Sequence, residues 1–319
     1  MLRALSQLST ASSICDRTLG PVVARAVTGA LTMVLATLAL AVSGPLSAAQ
    51  TLDLGRGELP ITVPAGYDAA SPAPVILLLH GYTGSGAGQD RYFGISELAD
   101  DYGFLFVAPD GTREEGGNRA RFWNASDACC NFQGSEVDDV AYIMSIIDHL
   151  SERYAVDPTR VYLIGHSNGG FMSYRVAYEH PERIAAIASL AGATQGGQRP
   201  PAAAPVNILQ IHGTADATIA YAGGEIGGSR YPGARATAAQ WARYNGCASA
   251  ARGREMRDLD ASLPGHESGA MVWAAGCALG GEVALWTIAA GGHSPPVSET
   301  FGAQIVEWLY AHPKPTAPR

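Results

Sequence analysis

Apolar residues along the chain fall into two patterns. Short, largely uninterrupted runs occur at 75–79, 104–108, 160–164, 184–190, 206–211 and 283–288. Runs without a polar face are what a strand covered on both sides requires. Between them the spacing changes to that of helices. Tyr92, Ile95, Leu98 and Ala99 predict one helix, Val140, Ile143, Met144, Ile147, Leu150 and Tyr154 a second, and 171–178, 232–244 and 301–310 three more. Strand, helix and strand in alternation predict a parallel sheet with right-handed crossovers. Residues 51–67 alternate weakly around Gly and Pro, which predicts an antiparallel hairpin at the start. Two stretches stay irregular: 112–134, a long loop carrying Phe122, Trp123, Cys129, Cys130 and Phe132, and 246–281, expected to be a polar insertion. Ser135-Glu136-Val137-Asp138 resembles a capping box for the second helix, and the paired acids Asp138 and Asp139 are expected to complement its dipole.

One junction carries chemistry. Gly165-His166-Ser167-Asn168-Gly169-Gly170 lies where the strand at 160–164 turns into the helix at 171–178. A serine on such a sharp turn projects its hydroxyl, and glycines on either side let the chain pass close to its neighbours. In a chain with 38 glycines the spacing alone is weak, so partners are needed. Acyl transfer by serine requires a base to take the hydroxyl proton and a group to orient that base. Asp216 follows the strand at 206–211, and His293 follows the strand at 283–288 between glycines and Ser294-Pro295. The order Ser167, Asp216, His293, each after a strand, puts all three on one edge of the sheet. The other histidines lie in helices, in the tail, in a polar segment or inside other motifs. Asp258, Asp260 and Glu225 follow no convincing strand.

An oxyanion hole needs two backbone N–H groups, normally one after the nucleophile and one after an early strand. Asn168 and Tyr82 occupy those places, with Thr83 the alternate. The loop His80-Gly81-Tyr82-Thr83-Gly84-Ser85-Gly86 lacks the lysine and the glycine spacing of nucleotide-binding loops. Trp123 is a candidate substrate contact that could flank an aromatic acyl group; the competing reading is that it and Phe122 anchor the long loop.

Composition narrows the classes. With 319 residues, 47% of them hydrophobic, and a formal charge of −8, the chain has material for a large core and no basic excess for nucleic acid. Arg3, Arg17 and Arg25 precede an apolar run at 30–42 and the small residues Ser47-Ala48-Ala49. This predicts a signal peptide over 1–49, cleaved after Ala49, and a single exported catalytic domain over 50–319. The run is shorter than the ~20 residues of a membrane span, so no stable membrane insertion is expected after cleavage. Export makes disulfides available to Cys129, Cys130, Cys247 and Cys277. Cys247 with Cys277 is the favoured pair, with a loop-entropy contribution of roughly 3–4 kcal/mol. Cys129 and Cys130 are left as either a vicinal bridge or two thiols. No second C-x-x-C or paired His stands at metal-ligand spacing, so neither metal nor cofactor is expected, and a monomer is.

The segments LLLHGYTGSG, RFWNASDACC, VDDVAYI, RVYLIGHSNGG, ILQIHGTADATIAY and GGHSPP together resemble the secreted polyhydroxybutyrate-depolymerase-like esterases, an α/β-hydrolase group that also holds feruloyl and acetylxylan esterases. The resemblance covers residues 51–313. It implies an α/β-hydrolase fold and ester hydrolysis through an acyl-enzyme, with Ser167 as nucleophile, Asp216 as acid, His293 as base and Tyr82 and Asn168 as oxyanion donors. Two features depart from the group: the lack of a C-terminal polymer-binding module, which weighs against insoluble polyester, and Pro295 where similar sequences often carry an aromatic. Acyl transfer to a sugar and a non-catalytic carbohydrate-binding role on the same fold are the alternatives.

Overall fold

The computed structural model describes residues 50–116, 119–197, 199–248 and 251–316, without the side chains of Arg254 and Glu255; the leader expected over 1–49 lies outside the described residues. In chain order the elements are β1 (Gln50–Asp53), β2 (Glu58–Thr62), β3 (Ala73–Leu79), α1 (Gly86–Phe93), α2 (Ala99–Tyr102), β4 (Leu105–Val107), β5 (Thr112–Arg113), β6 (Arg121–Phe122), α3 (Asp139–Arg153), β7 (Val156–His166) and α4 (Asn168–Glu179). They continue with β8 (Ala186–Leu190), β9 (Asn207–Gly213), β10 (Gly223–Ile226), β11 (Ser229–Pro232), α5 (Ala234–Tyr244), β12 (Arg252–Arg257), β13 (Ser268–Trp273), β14 (Val283–Ile288) and α6 (Phe301–Tyr310).

The apolar runs become the centre of a ten-stranded sheet in the order β1-β2-β4-β3-β7-β8-β9-β14-β13-β12. Strands β4 through β14 of that order are mutually parallel, and the outer pairs on each side are antiparallel. Side chains alternate between two cores, as a strand's period of two dictates. Val75, Leu77 and Leu79 face one core with Ile143 of α3, Phe171 of α4 and Trp241 of α5. Ile76 and Leu78 face the other with Phe93, Ala99 and Phe301 of α1, α2 and α6. Helices thus cover both faces of the sheet, and every parallel strand ends on the same edge.

Three expectations change. The helix expected through 92–99 is broken: Gly94, at φ 66°, ends α1, and the Asp90 carboxylate takes the N–H and hydroxyl of Ser96 to start a short 3-10 turn before α2. The cap of α3 is Asp138, whose carboxylate accepts the Ala141 N–H at 2.9 Å, rather than Ser135. The stretch 246–281 is not irregular, because β12 and β13 within it pair antiparallel and extend the sheet beyond β14. A second hairpin, β10–β11, turns at Gly227 and Gly228, both at positive φ, as tight hairpins demand. Cys247 is bridged to Cys277 as expected, and Cys129 to Cys130. No helix among the described residues is long and apolar enough to cross a membrane.

Candidate active site

Strand β7 delivers Ser167 to the carboxyl edge of the sheet, and α4 starts at the next residue. Ser167 adopts φ 52° and ψ −119°, a conformation costly for a residue with a Cβ, and its N–H is held by Leu190 O at 2.8 Å. Glycine is required on both sides: a Cβ at Gly165 would lie 2.2 Å from Gly169 O, and one at Gly169 would lie 2.1 Å from Leu79 O. The turn therefore presses against the middle strand β3 with no room to spare.

Loops after β9 and β14 bring the partners. His293 Nε2 lies 3.0 Å from Ser167 Oγ, and His293 Nδ1 lies 2.8 Å from Asp216 Oδ2. Asp216 Oδ1 accepts the N–H groups of Thr218 and Ile219, each at 2.8 Å. Burial opposes ionisation of this carboxyl, but hydrogen bonds from His212 and His293, the charge of His293 and the Ile219 amide outweigh it and hold the group well below the usual carboxylate range. Serine, imidazole and carboxylate form one relay, in which a hydroxyl proton can pass to a ring whose far side is fixed by an anion.

The two segments expected from the sequence to supply oxyanion donors both adjoin this serine. A Cβ at Gly81 would stand 3.3 Å from the Ser167 Cβ, so the backbone leading into Tyr82 lies directly against it. The N–H of the alternate, Thr83, is engaged by Arg121 O at 2.8 Å. Asn168 is the first residue of α4, where a helix amide has no partner of its own. Among the described residues no three His, Cys, Asp or Glu side chains gather at a possible metal site.

The loop at 112–134 corrects one assignment. Trp123 is fully buried, its indole N–H donates to His80 O at 3.0 Å, and its backbone is clasped by the Asn168 side chain through bonds of 2.7 and 2.9 Å. It has no face left for a substrate, and Phe122 is equally buried. Both anchor the loop, because an indole with a hydrogen-bond partner inside is more stable there than in water. The ring that does reach solvent is Phe132, 54% exposed, edge-on to Tyr82 at 5.3 Å, while the Tyr82 hydroxyl donates to Glu114 Oε1 at 2.7 Å. Asp139, expected to serve the helix dipole, is a buried anchor for the same loop: it pairs with Arg56 at 2.6 Å, accepts the Thr112 hydroxyl at 3.0 Å and takes the Asn124 N–H at 2.6 Å.

His166 is a residue whose part sequence reasoning missed. Its Nε2–H donates to the His293 carbonyl at 3.1 Å and its ring lies 5.2 Å from the His293 ring, so it joins the serine turn to the histidine loop. Burial, reinforced by the charge of His293 against the opposing carbonyl bond, lowers its pKa to about 4. Below about pH 6.5 the unfolded chain takes up a proton here that the folded chain refuses until about pH 4, so stability falls with pH across that window and is unaffected above it. The size is on the order of 3 kcal/mol. Urea midpoints measured between about pH 7 and about pH 4.5 should drop accordingly, and His166→Gln should flatten the slope. An unchanged slope in that variant would refute the assignment.

The fold and the relay on its carboxyl edge define the class: the chain has the α/β-hydrolase fold, and the family described by that name matches residues 74–214. Within that class the chain is related to esterases. Feruloyl esterase B of Piromyces equi is 28% identical over 244 residues, 73% of this chain and 42% of that protein. Poly(3-hydroxyalkanoate) depolymerase C of Paucimonas lemoignei is 30% identical over 130 residues, 41% of this chain and 30% of that one. The chain thus spans less than half the length of these curated relatives. The acetyl xylan esterase of Aspergillus awamori shares the fold, with a TM-score of 0.54 at 18% identity over 82% of this chain and 98% of that one.

Proposed function

We propose that the protein is an exported, monomeric serine carboxylesterase, and the observation that carries this is the relay of 3.0 and 2.8 Å from Ser167 through His293 to Asp216. His293 takes the Ser167 proton as Oγ attacks the ester carbonyl, and the Tyr82 and Asn168 amides receive the oxyanion. The imidazolium returns its proton to the departing alcohol, leaving an acyl-enzyme. Water, deprotonated by the same ring, then releases the acid and restores Ser167. Asp216 remains ionised throughout. Two disulfides fit an oxidising compartment.

Among the esters that the relatives' names indicate, the exposed Phe132 ring beside Tyr82 favours an aromatic acyl group of the feruloyl kind. The test has two parts. A fluorophosphonate probe should label Ser167, and absence of labelling in folded protein would reject a catalytic serine. A release assay should rank methyl ferulate above acetylated xylan and hydroxybutyrate oligomers. Preference for either of the latter would reassign the substrate and leave the relay untouched.

A further inference from the structure

The catalytic reading leaves the buried His212 unexplained. His212, at the end of β9, is 1% exposed and lies against the same Asp216 oxygen that His293 approaches. Behind it runs a chain of buried polar groups. The Tyr174 hydroxyl donates to Gln210 Oε1 at 2.7 Å, and Gln210 Nε2 donates to Gly192 O at 2.8 Å and approaches His212 Nδ1 at 3.1 Å. The Gly192 carbonyl fixes the amide, because turning it over would set two oxygens against each other. With an amide donor aimed at it, His212 Nδ1 must accept, so the ring proton sits on Nε2. That nitrogen lies 2.8 Å from Ile219 O and 3.2 Å from Asp216 Oδ2.

We propose that His212 is a positioning residue for Asp216, its Nε2–H pinning the 216–219 turn through Ile219 O while its positive edge draws charge from the carboxylate oxygen that also holds His293. The proposal rests on the reading of Ser167, His293 and Asp216 as the triad. Asp216 Oδ2 then serves two imidazoles, and the share of its charge that reaches His293 is set by the other ring. Another titratable ring beside His293 is His166, 5.2 Å away, which burial holds neutral down to about pH 4. Tyr221 lies edge-on to His212 at 5.7 Å with its hydroxyl paired to Thr287 Oγ1 at 2.8 Å, and Tyr174 acts only through Gln210. Removing the His212 N–H concentrates the carboxylate on His293, favours the imidazolium, and delays the appearance of the free base as pH rises.

Two variants separate positioning from packing. His212→Leu fills the space without a donor, and His212→Gln places an N–H near the position of Nε2. The pH profile of kcat/KM on p-nitrophenyl acetate should show its acid limb moved to higher pH in the leucine variant and returned by glutamine. A role in packing alone would lower activity or stability in both and leave the limb where it is, and that result overturns the proposal. Nitrogen-labelled protein gives a readout that needs no turnover: His212 should carry its proton on Nε2, and the low-field proton between His293 and Asp216 should move in His212→Leu and recover in His212→Gln. A proton on Nδ1, or a low-field signal indifferent to both variants, refutes it. If Ser167 fails to label while these signals behave as stated, the esterase reading falls and the positioning of Asp216 stands.

Discussion

Ser167→Ala is expected to lower kcat/KM for a p-nitrophenyl ester by at least about 10⁴-fold while the protein stays folded. The size follows from the proposed role of the hydroxyl: without it no acyl-enzyme would form, and the backbone amides and His293 would be left to assist water alone. The fold should not suffer, because the hydroxyl contacts the His293 ring and the backbone bond from Ser167 N–H to Leu190 O is kept. Alanine also suits the positive φ no worse than serine does. Residual activity after removal of contaminating hydrolases, with unchanged circular dichroism, is the quantity to read. Hydrolysis within a factor of ten of the parent protein would mean that another group attacks the ester.

Gly169→Ala carries the second large effect, on the fold itself. The added methyl would lie 2.1 Å from Leu79 O, 2.5 Å from Leu79 C and 2.7 Å from His80 O, all backbone atoms of β3 or its end. Neither a central strand nor the first turn of α4 can yield by an ångström without unpacking the core. A loss of about 3 kcal/mol or more is expected, together with displacement of the Asn168 amide from the serine. Gly66→Ala is the control, since a Cβ there meets nothing within 4 Å. Denaturant midpoints should separate the two variants clearly, and similar midpoints would show that the turn is looser than its contacts imply.

How much of this was legible in the chain depends on where each element lies. Strands β3, β7, β8, β9 and β14 are buried on both faces, so their sequences could not hide among polar segments. The meeting of Ser167, His293 and Asp216 followed from them, because a residue placed just after a parallel strand has little freedom in where it emerges. Strand β12 is the opposite case. It pairs on one side only, and its sequence Arg-Gly-Arg-Glu-Met-Arg has no apolar run to betray it. Charged edge strands resist association with other sheets, and the property that protects the edge also conceals it. Trp123 was misassigned because spacing says which residues sit on a loop and nothing about which way each faces. The hydrogen bond from its indole to His80 O is made by two segments 43 residues apart. His166 and His212 were passed over for a related reason: both are buried inside motifs whose obvious residue is a neighbour.

The anchoring of the long loop has a consequence for how this enzyme class can be altered. Asp139 grips Thr112 and Asn124, and Trp123 is locked under the serine turn, so the loop is fastened at its root near 112 and again at 123–124. The stretch beyond is held as well, with Ala125, Ala128, Cys129 and Cys130 buried in the core, and Phe132 is the ring it leaves exposed. Such a layout separates what must be inherited intact from what is free to vary. Selection, natural or in the laboratory, can rewrite exposed positions such as Phe132 and Gln133 without disturbing the packing beneath them.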